Sequence, residues 1–265
     1  MNLKQSLNLS AFLIKSKTKM ILIYALIIII TNLLVITPYS STSNLDLGSL
    51  ISSLPEAYKA FFGDLNLMST STGFLAVKNF SLIYPMIQVI LGISLATSFF
   101  GKLKTVGFFK FIVSRPISRT NIYFTVSLSY LFIMLLMNLI NFFSIIVIAK
   151  FSNFSIDYSN LHLALISLNL MSMVVAGFCG LLAIQFEQEL AIGMGYYFFF
   201  QNYILSSLVT LFPTVTKLKY LSIFHYYDYQ NNLFGNSNPT YFMILAGLII
   251  MMLLLGLISF KNKDF

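Results

Sequence analysis

Residues 20–36 read MILIYALIIIITNLLVI, a run without a single charged side chain. Crossing a hydrocarbon core about 30 Å thick takes roughly 20 mostly apolar residues in a helix. In lipid every backbone N–H and C=O has to be paired within its own segment, so such a run is read as a helix. The apolar stretch is too long for a secretory signal and no small-residue cleavage site follows it, so it reads as a permanent span. Five further runs follow the same pattern: Leu82–Phe100, Ile122–Ala149, His162–Gln185, Ala191–Phe212 and Tyr241–Phe260. The third of the six is long enough to tilt or to project beyond the membrane.

Composition agrees. Of 265 residues, 58% are hydrophobic and 9% charged, against about a quarter charged in an ordinary soluble domain. A globule of this size could not hide so much apolar surface behind a polar skin. A soluble protein, a disordered one and a disulfide scaffold are excluded; the single cysteine, Cys179, has no partner for a bridge and is too few for a metal cluster. The expected fold class is an all-α polytopic membrane protein with six transmembrane helices, forming one domain over residues 1–265.

The basic residues orient the chain. With the N-terminus in the cytoplasm, the inner side holds Lys4, Lys15, Lys17, Lys19, Lys102, Lys104, Lys110, Arg115, Arg119, Lys261 and Lys263. It also holds Glu187, Glu189 and Asp264, so it carries the whole net charge of +8. The outer side is balanced: Lys59, Lys78, Lys150, Lys217 and Lys219 face Asp46, Glu56, Asp64, Asp157 and Asp228. Positive-inside bias accounts for the charge without a nucleic-acid partner, and both termini are expected in the cytoplasm.

Little lies outside the bilayer. Residues 1–19 set Leu3, Leu7 and Phe12 against Lys4, Lys15, Lys17 and Lys19, which reads as an interfacial helix on the inner leaflet, with a disordered basic tail as the alternative. The outer segment 37–79 starts Ser-rich and carries LPEAYKAFFG at 54–63, a short helix with Pro near its start and Gly at its end. The outer segment 213–240 is rich in Tyr and Phe, which favour the headgroup zone.

Chemistry is sparse. No GxxxxGK[ST] loop occurs, so the chain is not expected to hydrolyse ATP itself. His225 and Asp228, three apart, would share a helix face, but a metal site wants three or four ligands. Glu187 and Glu189 lie across the bilayer from both histidines, which argues against an intramembrane protease. No ionisable side chain sits near the middle of a span, which disfavours proton- or ion-coupled transport. The amides within spans are Gln88, Asn138, Asn141, Asn169, Gln201 and Asn202. They could line a pathway or hydrogen-bond neighbouring helices.

The inner segment 101–121 reads GKLKTVGFFKFIVSRPISRTN. Phe108, Phe109, Phe111, Ile112 and Val113 form a short apolar segment among basic residues, and Pro116 pushes Arg115 out of helical geometry. An exposed apolar segment on this side either lies on the headgroups or receives a docked partner.

Here the chain resembles the type-2 ABC transporter permeases, the six-helix membrane subunits of many bacterial exporters. In that family the same loop carries a pattern like G-T-L-E-x-L-L-S-x-P-I-S-R. Residues 107–119, GFFKFIVSRPISR, match it at Ser114, Pro116, Ile117, Ser118 and Arg119. LPEAYKAFFG at 54–63 is similar to the family's first outer helix, LSIFHYYD at 221–228 to its last outer segment, and FKNKD at 260–264 to its C-terminus. The chain departs from the pattern in having Lys102 and Lys104 where acids are usual, Phe108-Phe109-Lys110 in place of Thr-Leu-Glu, and Ile223 in place of a proline.

The resemblance implies a permease subunit of the bacterial plasma membrane. It would pair with a second copy or a paralogue and bind a separate ABC ATPase that holds ATP and Mg. No cofactor is expected in this chain. Residues 107–113 would form the coupling helix, with Gly107, Phe108, Phe109, Phe111, Ile112, Arg115, Pro116, Ile117, Ser118 and Arg119 as the ATPase-coupling set. Gln88, Asn138, Asn141, Gln201 and Asn202 are the candidate substrate path. The expected function is export of an apolar or amphipathic cargo, such as antimicrobial or phenol-soluble-modulin-like peptides, or drugs. The competing reading is an autonomous membrane protein, a channel or an intramembrane protease.

Overall fold

The computed structural model describes residues 3–39, 55, 61, 65–105, 118–152 and 154–263, and among them there is no strand. The elements are α1 (Leu3–Ser16), α2 (Thr18–Ile36), α3 (Tyr84–Thr105), α4 (Arg119–Phe151), α5 (Tyr158–Gln185), α6 (Gln188–Leu211), α7 (Ile223–Tyr227), α8 (Tyr229–Leu233) and α9 (Pro239–Asn262). A helical turn, Ser71–Leu75, and a π-helical stretch, Ala76–Ile83, run directly into α3. Leu65–Ser69 and Pro213–Leu221 are 3-10 helices.

Among the described residues five helices are long and apolar enough to cross a membrane: α2, the continuous helix Ser71–Gly101, α4, α5 and α9. The protein is an all-α, multi-pass membrane protein. Helix α6, with 24 residues, is as long as α9 but carries Gln188, Glu189, Gln201 and Asn202, and it is not one of the five.

Contacts between helix ends sort the elements to two ends of one bundle. At one end Tyr39 packs on Phe74 and Phe154 at 5.1 and 4.9 Å, and the hydroxyl of Ser71 donates to the carbonyl of Ser155. At the other, Arg119 meets the end of α9 and Lys263 meets the end of α5. Between them α5 forms the axis, packed against α3, α9, α6 and α4, with Ala164, Leu168, Met171, Val175 and Ala176 buried. Small residues let backbones approach, as lipid-embedded bundles require. A Cβ on Gly92 would lie 2.9 Å from the methyl of Met134, and one on Gly177 would lie 3.1 Å from Cβ of Met252.

Several boundaries differ from expectation. The second span starts at Ser71 rather than Leu82, behind a Thr70 cap whose hydroxyl accepts from the Gly73 amide at 3.1 Å. The outer segment is expected to run through Lys78 and Asn79; Lys78 is exposed, whereas Asn79 is buried and its Nδ2 donates to the Tyr84 hydroxyl inside the bundle. Helix α1 packs along α4, where Ser129 Oγ donates to Ser10 Oγ at 3.0 Å. Among its described side chains Leu13 is buried, 5% exposed, whereas Phe12 is 57% exposed. With 33 residues α4 is about 50 Å long, longer than a bilayer core, and α1 runs beside its first half.

Segment 213–240 is not confined to an interfacial belt. Ile223, Phe224, Tyr227 and Leu233 are buried in the bundle. Asp228, at φ 33°, sits in the left-handed region between α7 and α8, a conformation disfavoured for residues with a Cβ. The helix therefore breaks there, and His225 and Asp228 do not share a helix face. Asn231 Nδ2 donates to both Asp228 carboxylate oxygens at 3.0 Å.

Candidate functional site

The site of interest is the bundle end at which α3 ends and α4 begins. Ser118 is the N-cap of α4: its backbone is extended, and its hydroxyl accepts from the Asn121 amide at 3.3 Å. The next residue, Arg119, turns its guanidinium to the end of α9 and donates to the carbonyls of Lys261 at 3.1 Å and Lys263 at 2.9 Å. Lys263 Nζ donates in turn to the carbonyl of Gln185, the last residue of α5, at 2.6 Å. Gln185 Nε2 donates to Ser259 Oγ at 3.2 Å. The final carbonyls of a helix lack intrahelical donors and carry partial negative charge, so cations are favourable there.

An aromatic triad underlies these bonds. Phe260 is fully buried, with ring centroids 6.2 Å from Phe100 and 5.7 Å from Tyr123, which lie 5.6 Å from each other. Beside them a cleft of about 500 Å³ opens between Gly101, Lys263 and the turn Gln185–Glu189. Glu187 and Glu189 are exposed on that turn. On the other flank, Lys17 Nζ lies 5.5 Å from the ring centre of Phe99.

Of the coupling residues, Gly107, Phe108, Phe109, Phe111, Ile112, Arg115, Pro116 and Ile117 lie outside the described residues, as does the expected short helix over 107–113. The outer helix over 54–63 likewise lies outside them, apart from Pro55 and Phe61. Ser118 and Arg119 are described, and Arg119 points to α9.

The five amides of the candidate path do not converge on one point. Gln88 Nε2 donates to the Met134 carbonyl and to Asn169 Oδ1, both at 3.1 Å, joining α3 to α4 and α5. Asn138 Nδ2 donates to the Leu165 carbonyl of α5 at 2.9 Å. Asn141 Oδ1 accepts from Asn32 Nδ2 of α2 at 3.0 Å. Asn202 holds the folded-back segment: its Oδ1 accepts from the Ile223 amide at 2.9 Å, and its carbonyl accepts from Ser222 Oγ at 2.7 Å. Gln201 is on the exposed face of α6, with Tyr197, Phe200 and Ile204.

Asn32 is the partner that sequence reading overlooked. Buried in α2, it donates to Asn141 and to Ser144 Oγ at 2.5 Å, and accepts from the Tyr84 hydroxyl. Asn79 Nδ2 donates to the Tyr84 hydroxyl at 2.8 Å. The available signal was an asparagine inside an otherwise apolar span, since an amide in lipid needs a partner on another helix.

His225 lies at the opposite end of the bundle from Glu187 and Glu189, as does His162 near the start of α5, a helix about 42 Å long by its 28 residues. No three His, Cys, Asp or Glu side chains gather among the described residues. His225 Nε2 is 3.3 Å from the Tyr241 hydroxyl, and its ring touches Tyr220 and Tyr226. Partial burial, then the charge of Lys219, holds its pKa below the ordinary 6.5, with Asp228 opposing.

No family model matches the chain, and no curated protein matches it.

Proposed function

We propose that this chain is the membrane-spanning permease subunit of an ATP-binding cassette exporter, of the type-2 class. The observation that carries the reading is the contact of Arg119 with Lys261 and Lys263. Arg119, from the family-like stretch PISR, and Lys261 and Lys263, from the family-like stretch FKNKD, meet at one end of the bundle. Helix α1 flanks that same end, as the lead-in helix of such a subunit would.

In this reading α6 is a sixth span and both termini are cytoplasmic. The basic residues support that orientation: Lys15, Lys17, Lys19, Arg119, Lys261 and Lys263 belong to the Arg119 end. A separate ABC ATPase, which holds ATP and Mg, docks on residues 107–117. ATP-driven closure of two ATPases pushes this end of two permeases, and the permeases rock against each other. The second permease is an identical copy or a paralogue. Gln201, an amide midway along the exposed face of α6, supports assembly through that face, because an amide is costly against hydrocarbon. Gln88, Asn138, Asn141, Gln201 and Asn202 are the proposed polar positions of the path. The cargo is apolar or amphipathic, a peptide or a drug, in keeping with spans free of midplane charge. The compartment is a bacterial plasma membrane.

The test is purification from native membranes in mild detergent, with mass spectrometry of what co-purifies. A stoichiometric ATPase is the expected result, and Phe108→Asp should abolish its binding while the spans stay folded. Absence of an ATPase after cross-linking in intact cells would overturn the proposal in favour of an autonomous membrane protein.

A further inference from the structure

Arginine as the first residue of a helix is on the wrong end of the macrodipole, where partial positive charge accumulates. Arg119 is that residue in α4, and its guanidinium leaves the α4 terminus to reach the opposite kind of end, the last carbonyls of α9. Lys263 repeats the arrangement one helix further on, from beyond α9 to the last carbonyl of α5. Every one of these acceptors is a backbone oxygen. A bond to a neighbouring side chain can be absorbed by a rotamer change, whereas a bond to a terminal carbonyl grips the helix itself. The buried Phe260, packed against Phe100 and Tyr123, leaves the end of α9 little freedom to slip beneath those bonds.

We propose that Arg119 is a positioning residue: through its paired bonds to the Lys261 and Lys263 carbonyls it makes the start of α4 and the ends of α9 and α5 move as one body. A displacement imposed by a partner at the entrance to α4 is thereby carried to the last span and to the bundle axis. This inference rests on the ATPase-partnered reading above. It assigns Arg119 an inward role rather than a contact with the ATPase. Both bonds leave one guanidinium nitrogen, Nη1, whose two hydrogens are held in the guanidinium plane, and a lysine ammonium lacks that fixed geometry.

The test uses the complete complex with its co-purified ATPase in lipid nanodiscs. Spin labels are attached to cysteines introduced in two pairs, Asn121→Cys with Lys261→Cys, and Glu189→Cys with Lys261→Cys; Cys179 is buried and stays unlabelled. Distances are compared without nucleotide and in the ATP–vanadate state. Glu189 is on α6, a separate helix outside the linked body, so the expected wild-type result is an unchanged 121–261 distance and a changed 189–261 distance. In Arg119→Gln the 121–261 distance should change, and the 189–261 response should fall about threefold or more, with the ATPase still bound. Ending the chain after Asn262 should have the same effect, and the two changes together should be no worse than one. Should Arg119→Gln fail to assemble, Arg119→Lys replaces it and should give an intermediate response. A wild-type 189–261 response in either variant overturns this inference and leaves the permease reading standing. A wild-type chain that brings no ATPase overturns both.

Discussion

Asn32 in α2 donates its side-chain amide to Oδ1 of Asn141 in α4 at 3.0 Å, across 109 residues of chain. Ser144, Tyr84 and Asn79 complete a buried polar cluster that joins the first three spans beside the π-helical stretch. A π segment is uncommon and its hydrogen-bond ladder is displaced from the α pattern. Here the Phe80 carbonyl within it is taken up by the Tyr227 hydroxyl at 2.9 Å.

Removing Asn32 strands several buried groups at once. Asn32→Ala should destabilise the detergent-solubilised protein by about 1–3 kcal/mol, seen as a lower midpoint of thermal unfolding. A double-mutant cycle with Asn141→Ala should give a coupling of about 0.6–2 kcal/mol, the range for interhelical hydrogen bonds in membranes. Strict additivity would mean that the pair contributes nothing of its own.

Asn202 clamps the folded-back outer segment through the Ile223 amide and the Ser222 hydroxyl. Asn202→Ala leaves the buried Ile223 N–H without its acceptor. Amide hydrogen exchange over residues 222–233 should quicken, while exchange in α5 stays as it was. Equal protection in the variant would show that packing of Phe224 and Tyr227 holds the segment unaided.

Two glycines of α9 make a matched pair. A Cβ on Gly256 would run into the Tyr123 hydroxyl, which donates to the Leu253 carbonyl at 2.8 Å, whereas a Cβ on Gly247 meets nothing within 4 Å. Gly256→Ala should cost about 1–3 kcal/mol by overpacking. Gly247→Ala should be neutral or slightly stabilising through helix propensity. Thermal unfolding of both in the same detergent decides it, and equal loss in the two would refute the steric account.

His225 predicts a pH dependence of the outer segment. Its folded pKa lies below the unfolded 6.5, because partial burial and Lys219 disfavour the charged ring. The unfolded state therefore takes up the proton first as pH falls. The stabilisation is complete above pH 6.5 and is lost as pH falls through the folded value. Exchange over residues 219–229 should quicken between neutral and mildly acid pH, and His225→Phe should remove most of that response. An equal response in the variant would locate the titration elsewhere.

The membrane fold was legible because it is local. Runs such as 20–36 and 241–260 are apolar on every side, and lipid leaves the backbone no choice but a helix. The start of the second span was not legible. The polar Lys78 and Asn79 fall in the stretch read as outer segment, and only the tertiary fold supplies Tyr84 and Asn32 as partners for Asn79 Nδ2. Asn138 and Asn141, three apart, share a face of α4, but nothing local says that one reaches α5 and the other α2. Gln201 and Asn202 are adjacent in sequence, yet one is exposed and the other buried, since neighbours on a helix point about 100° apart.

What the sequence determined alone is the solvent this protein lives in, the helical state of its long segments and the uneven distribution of its basic residues. Those properties follow from composition along a single strand of chain, and no other part of the molecule is needed to enforce them. What only the tertiary structure decided is which polar groups pair: Arg119 with the carbonyls at the end of α9, Asn32 with Asn141, Asn202 with Ile223. A hydrogen bond acts over about 3 Å, and its partners here lie 21 to 144 residues apart. The bundle must therefore form before any of these donors can find its acceptor.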